Sequence, residues 1–481
     1  MMSRRWLDRL LVACAAGLIL ASVLVPAFVQ YGWQAITFPY PLDYGEGPIL
    51  DQVARLAYGQ TIYRADLGTP PYTVSNYPPF YMLLQAPVLR LVGPAFWYGR
   101  LLSWLSIVAA AIFVALILYT LTHDGPAALV GGLTLPAIPY VAVWAPLCRV
   151  DALALAMSLG ALLAVVRWPG TRWGLTLTAL LLTAAIYTRQ SYALAAPLAT
   201  FVWLLSRYGH RRALALAALV GGLSLGLFLA LTALTHGGFY VNIILANLND
   251  YRLDTLKRYL KDLWTDVPYL LVGSGLYAAL AVWLRMRSWP LLVPYLAGAA
   301  LAALTAGKIG SNINYLFELA AALSLATGAL IAWQRPRPLL RYGLLLLLVA
   351  QLALLGADMR HHRYAQAKLE RRADFAALAQ VVHQADGVVL ADEEMGLVPL
   401  DGRPLFFQPF EFTQLARAGH WDQAPFLEAL DQQQFAVILM VQLREFPLHR
   451  ERWTPEMLEL IERRYQTVET IGNTVIYRPR E

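Results

Sequence analysis

The sequence predicts a mainly α protein, a polytopic transmembrane helical bundle of about eleven helices closed by a small α/β domain. Three observations predict it. Of the 481 residues, 58% are hydrophobic and only 14% charged, whereas a soluble chain is about one-quarter charged. Apolar runs recur through the first three-quarters of the chain, most of them near the length that crosses about 30 Å of hydrocarbon. Past residue 356 the composition turns to mixed charge.

The first run follows Arg4, Arg5 and Arg9 and extends from Leu10 to about Phe28. It is long, and a second span follows, so it reads as an uncleaved helix and not as a signal peptide. Ten further runs have cores at 101–121, 127–145, 150–166, 173–188, 191–205, 213–235, 267–284, 289–306, 315–333 and 339–356. With the N-terminus in the cytoplasm, the inside connections collect Arg167 and Arg172, then Arg207, Arg211 and Arg212, then Arg285 and Arg287, then Arg335, Arg337 and Arg341. The outside turns carry single cations, Arg149, Arg189 and Lys308. That asymmetry is the positive-inside pattern, and it predicts a multi-pass protein of the plasma or inner membrane.

The same pattern explains the charge. A net +7 with no basic stripe or aromatic-interleaved patch excludes nucleic acid as the partner. Cys14 and Cys148 fall near opposite membrane faces and predict no disulfide.

Residues 1–356 are expected to form the membrane module, and 357–481 a soluble domain on the extracytoplasmic side. In the latter, helical patterns at 367–383 and 456–465 alternate with β-rich stretches at 387–391, 435–441 and 474–477. Its acids Asp392, Glu393 and Glu394 read as loop acids, and His361 and His362 as solvated side chains at the membrane exit.

The first outside loop, about 30–97, holds two carboxylates, Asp43 and Glu46, around Tyr44 and Gly45. Ile49, Leu50, Val53, Leu56 and Ala57 then recur at helical spacing, an amphipathic helix suited to the membrane interface. Asn76-Tyr77-Pro78-Pro79 makes a rigid turn toward the next span. A carboxylate at that boundary can deprotonate a polar acceptor opposite a lipid-borne donor. Alternatively, both acids are solvated and cap the helix.

Three further outer positions bear charge. Asp151 follows Arg149 and opens an apolar run, where an acid is costly unless paired or used. Arg189 can bind a phosphate or serve as an ordinary loop arginine. Gly307-Lys308-Ile309-Gly310-Ser311-Asn312-Ile313-Asn314-Tyr315 presents amides and a cation to an anion, with Glu318 a turn farther into the bilayer.

These features resemble the polytopic GT-C glycosyltransferases, such as the protein mannosyltransferases and aminoarabinose transferases. Those enzymes carry an acidic motif after helix one, interfacial helices, a Tyr/Pro-Pro step and a second outer acid, here Asp43–Glu46, Ile49–Tyr58, Tyr77-Pro78-Pro79 and Asp151. The family's usual Asp-Glu pair is broken, because Gly45 precedes Glu46. The base is then either Glu46 or Asp43, with Asp43 favoured and Glu46 assisting.

The resemblance implies inverting transfer of a sugar from a polyprenyl-phosphate donor to a glycan, lipid or protein acceptor. It assigns catalysis to Asp43, Glu46 and Asp151. The donor phosphate falls to Arg149, Arg189, Lys308, Asn312 and Asn314, and the substrates to Tyr44, Tyr77, Tyr315 and Glu318. A divalent cation, Mg or Mn, held by Asp43 and Asp151 stays open. A lipid or polysaccharide transporter is the alternative, but its ionisable groups belong in mid-helix. A non-catalytic scaffold leaves Asp151, Lys308 and Glu318 unexplained.

Overall fold

The computed structural model describes residues 4–247, 249–355, 360–443 and 449–481. All eleven apolar runs are helical, as expected where backbone groups must satisfy one another without water. By length and composition, five helices among the described residues can cross a membrane: Leu10–Thr37, Trp97–Thr122, His210–Leu234, Trp289–Gly307 and Ile313–Trp333.

The other expected runs form shorter helices, some of them broken. Asp151–Arg167 and Arg172–Thr188 have 17 residues each, about 25 Å at 1.5 Å per residue. The run expected at 127–145 divides into Gly125–Ala137 and Pro139–Trp144. Pro136 and Pro139 account for the break, since neither supplies an amide hydrogen to the ladder. The first helix runs on to Thr37, so its loop opens at Phe38 and not near residue 30. Pro78-Pro79 leads into a short helix, Phe80–Val92, ahead of the next span.

The expected alternation of faces brings the right residues together. Asp124, at a turn expected inside, accepts hydrogen bonds from both Nη atoms of Arg341, at another such turn, at 2.8 and 3.0 Å. At the opposite face lie the first loop, the segment holding helix Leu253–Asp266 and the C-terminal domain. Leu253–Asp266 bends 93° from Pro268–Trp283. It exposes Leu253, Leu260 and Trp264, while Asp254, Arg258 and Asp262 line the cavity described below.

The expected boundary at residues 356 and 357 lies outside the described residues. Beyond it, helices Arg360–Glu370 and Arg372–His383 precede a four-stranded sheet. Its strands are β1 (Val388–Ala391), β2 (Phe435–Val441), β3 (Tyr465–Ile471) and β4 (Thr474–Pro479), in the order β1-β2-β4-β3. β1 and β2 run parallel; β4 is antiparallel to both β2 and β3. The sequence reading missed β3, an edge strand whose residues are mostly exposed and polar, so it lacks the apolar alternation that marks a half-buried strand.

The first loop threads into this domain. Tyr72 donates to the Phe406 carbonyl at 2.6 Å and accepts from Gln408 N at 3.0 Å. Its ring meets Phe406, Phe412, Trp421 and Phe426 edge-on, each such contact adding about 0.5–1.5 kcal/mol beyond burial. Asp51 accepts from Leu405 N at 2.9 Å and from Arg55 Nε at 2.7 Å. At Gly47 a Cβ would stand 2.8 Å from Gly396 Cα, so only glycine lets the two backbones approach.

Candidate active site

Between the loop, the helix ends and the domain lies a cavity of about 1310 Å³. Eight of the predicted residues line it: Asp43, Tyr44, Tyr77, Arg149, Arg189, Lys308, Asn312 and Tyr315. They come from five separate stretches of sequence, brought together because each stretch lies beside a helix end at the same face.

Asp43 Oδ2 accepts from Arg149 Nη1 at 3.0 Å and from Gly45 N at 2.9 Å. Arg149 Nη2 donates to Tyr77 Oη at 3.1 Å. A Cβ at Gly45 would overlap the Arg149 guanidinium. The guanidinium occupies the space that a side chain at position 45 would take.

Glu46 stands apart. Its side chain is 0% exposed, as is that of its partner Arg100. Arg100 Nε donates to Oε1 at 2.8 Å and Nη2 to Oε2 at 2.7 Å. The amides of Cys148 and Leu42 donate to the same carboxylate, each at 2.7 Å. Burial by itself raises a carboxyl, but Arg100 and these hydrogen bonds outweigh it and hold Glu46 below the usual carboxylate range. With every lone-pair direction engaged and no path to the cavity, Glu46 is corrected from assisting acid to the anchor of the loop.

Asp151 is also behind the wall. It forms an ion pair with Arg189 and accepts from Asn314 Nδ2 at 3.0 Å and Trp144 Nε1 at 3.4 Å. Arg189 lies over the Tyr315 ring at 4.3 Å, on the cavity side. Asp151 and Asn314 therefore orient the arginine and do not meet the cavity themselves. Glu318 lies deeper, accepting from Ser158 Oγ at 3.1 Å within the bundle; its expected contact with substrate has no route. These three placements correct the sequence reading, and the reason is common to them: each residue sits on the inward face of its helix.

The C-terminal domain contributes groups that the sequence reading left out. Lys368 Nζ donates to the Leu42 carbonyl at 2.7 Å. Arg452 stacks over Tyr44 at 4.2 Å and Phe410 at 5.0 Å, and Nε donates to Glu393 at 2.7 Å. Tyr44 Oη donates to Glu411 at 2.6 Å. Burial, the largest influence, pushes the Glu411 carboxyl above its usual range.

Glu393 is thus a cavity residue, and Asp392 and Glu394 are buried, none of them free loop acids. His361 contacts Asp266 at 2.8 Å. Only the side-chain inventory could have flagged Lys368 and Arg452, since no local motif surrounds them.

The residues do not form a cage for a divalent cation. Asp43 and Asp151 are held by different arginines, and among the described residues no group of three or more His, Cys, Asp or Glu converges. No step is assigned to a metal.

The bundle's loops and its appended domain thus enclose a charged cavity at one face. Among solved structures, the crystal structure of ArnT from Cupriavidus metallidurans bound to undecaprenyl phosphate matches at a TM-score of 0.62 and 17% identity, over 99% of this chain and 98% of that one. The archaeal oligosaccharyltransferase AglB from Archaeoglobus fulgidus, in complex with an inhibitory peptide and a dolichol-phosphate, matches at 0.57 and 10% identity, over 100% of this chain and 75% of that one. The same oligosaccharyltransferase tethered to an acceptor peptide containing the NVT sequon matches at 0.59 and 12% identity, over 99% and 74%. At such identities the likeness is one of fold. No family model and no curated protein matches the chain.

Proposed function

We propose that this protein is a membrane glycosyltransferase that moves a sugar from a polyprenyl-phosphate donor to an acceptor hydroxyl of a glycan, lipid or protein, on the extracytoplasmic face. One observation carries the reading: Asp43, reachable from the cavity, shares it with Arg149, Arg189 and Lys308. The solved neighbours with undecaprenyl phosphate or dolichol-phosphate support a lipid-linked donor, and the acceptor peptide of one supports an acceptor entering the same region.

In this reading the acceptor hydroxyl gives its proton to Asp43 as its oxygen bonds to the sugar's anomeric carbon. The bond from that carbon to the phosphate oxygen breaks, and its electrons stay on the carrier phosphate. Arg189, held by Asp151, and Lys308 receive the developing charge, where fixed cations in a shielded cavity act most strongly. A single displacement inverts the anomeric centre. The amphipathic helix Leu253–Asp266 turns apolar side chains outward beside the cavity, which suits a carrier that stays in lipid while presenting its head group. Polar groups at one edge of the bundle favour this over a transporter.

The test is transfer from a polyprenyl-phosphate sugar in membranes. The parent is expected to transfer the sugar, Asp43→Asn to abolish transfer and Asp43→Glu to retain part of it; no transfer by the parent refutes the reading, and unchanged transfer in Asp43→Asn removes Asp43 as the base. Reporters fused after residues 209 and 357 are expected to read cytoplasm and exterior respectively, and the reverse removes the cavity from the donor's side.

A further inference from the structure

Arg149 is divided between two partners and has capacity for a third. Nη1 holds Asp43 and Nη2 holds Tyr77; Nε is buried and meets no acceptor among the described residues. Both bonds to Asp43 fall on the same oxygen, Oδ2. An oxygen that already accepts two hydrogen bonds has little capacity left for a substrate hydroxyl.

The pair is partly open, with side chains 13% and 15% exposed, so its separation does not strand a charge in a dry interior. A phosphate offers the same planar fork several acceptor oxygens and a stronger charge.

We propose that Arg149 is exchanged between Asp43 and the donor's phosphate, so that donor binding frees Asp43 Oδ2 to take the acceptor's proton. The exchange rests on the transferase reading and adds an order of events to it. It keeps Oδ2, though not Oδ1, occupied until a phosphate stands where the leaving group must be. Gly45 is part of the device, because its bare backbone makes room for the guanidinium beside Asp43.

Linkage gives the test. If carboxylate and phosphate compete for one guanidinium, removing the carboxylate must tighten phosphate binding. The full chain in nanodiscs is titrated with undecaprenyl phosphate and, separately, with inorganic phosphate. Asp43→Asn is expected to bind the lipid phosphate on the order of tenfold more tightly than the parent, even as transfer is lost. Arg149→Gln is expected to bind it more weakly, and the gain from Asp43→Asn to vanish in that background.

Gly45→Ala displaces the guanidinium without removing either charge and is expected to tighten binding as well, an independent check. Tightening for both phosphates supports an exchange with any phosphate, and tightening for the lipid alone ties it to the carrier. Equal affinity of the parent and Asp43→Asn, with transfer lost, overturns the exchange and leaves the transferase reading intact. A gain that persists with Arg149→Gln also overturns it. Retained transfer in Asp43→Asn removes Asp43 as the base, and absence of transfer by the parent overturns the transferase reading instead.

Discussion

Two arginine–carboxylate pairs stand on one short loop, and the protein uses them in opposite ways. Glu46 and Arg100 are sealed, with both side chains 0% exposed and four donors on the carboxylate. Asp43 and Arg149 sit at the cavity wall, with side chains 13–15% exposed and one shared bond. A sealed, fully bonded pair is a fixed part of the fold, because breaking it leaves a buried charge. A half-open pair can trade partners. The difference lies in solvent access and bond count, since the chemical groups are the same.

The comparison can be broken in order of effect. Asp43→Asn is expected to lower transfer by about 10²–10⁴-fold, the usual contribution of a general base, with the melting temperature unmoved. A drop in thermal stability together with activity shows that Asp43, too, is structural. Arg100→Met or Glu46→Ala is expected to cost about 3–5 kcal/mol, read as loss of folded protein in detergent. Normal folding with transfer alone impaired returns Glu46 to the catalytic set.

Lys308→Ala sharpens the boundary of the site. Among the described residues no acid forms an ion pair with it, so the fold is expected to survive, while affinity for a lipid phosphate falls by roughly tenfold, the scale of one charge-assisted contact. Asn312→Ala is expected to change it less.

A further effect concerns pH. Burial and Glu393 push Asp392 up to about 7, and burial pushes Glu394 to about 7. A carboxyl raised in the folded state keeps a proton that the unfolded chain has lost. The full stabilisation is present below about pH 4 and declines as pH rises toward 7. Asp392→Asn is expected to flatten that slope in thermal melts of the full chain, and an unaltered slope assigns it to other groups.

Much of this was readable before any coordinates. The apolar runs gave the helices, and the expected sharing of one face by Arg149, Arg189 and Lys308 agrees with their lining one cavity. The departure at Gly45 was visible too, but its meaning was not. Its partner Arg149 lies more than a hundred residues away, and no local pattern records which guanidinium fills a missing side chain. Asp151 and Asn314 stand at helix ends on the same face as the cavity, yet helix phase turns them inward. Lys368, Glu411 and Arg452 escaped notice because they lie more than 300 residues from Leu42 and Tyr44, which they contact in the loop, and Tyr72 of that loop packs in an aromatic cluster with Phe407, Phe412 and Trp421.

The sequence by itself determined a lipid-embedded helical bundle, the face on which charge collects and a small mixed domain after it, because hydrophobic length and charge sorting are local properties that each segment carries alone. Tertiary structure decided which carboxylate meets the cavity, which is sealed on Arg100, and which cations stand beside Asp43. Those are matters of solvent access and contact between distant segments, and burial is a property of the whole packed molecule.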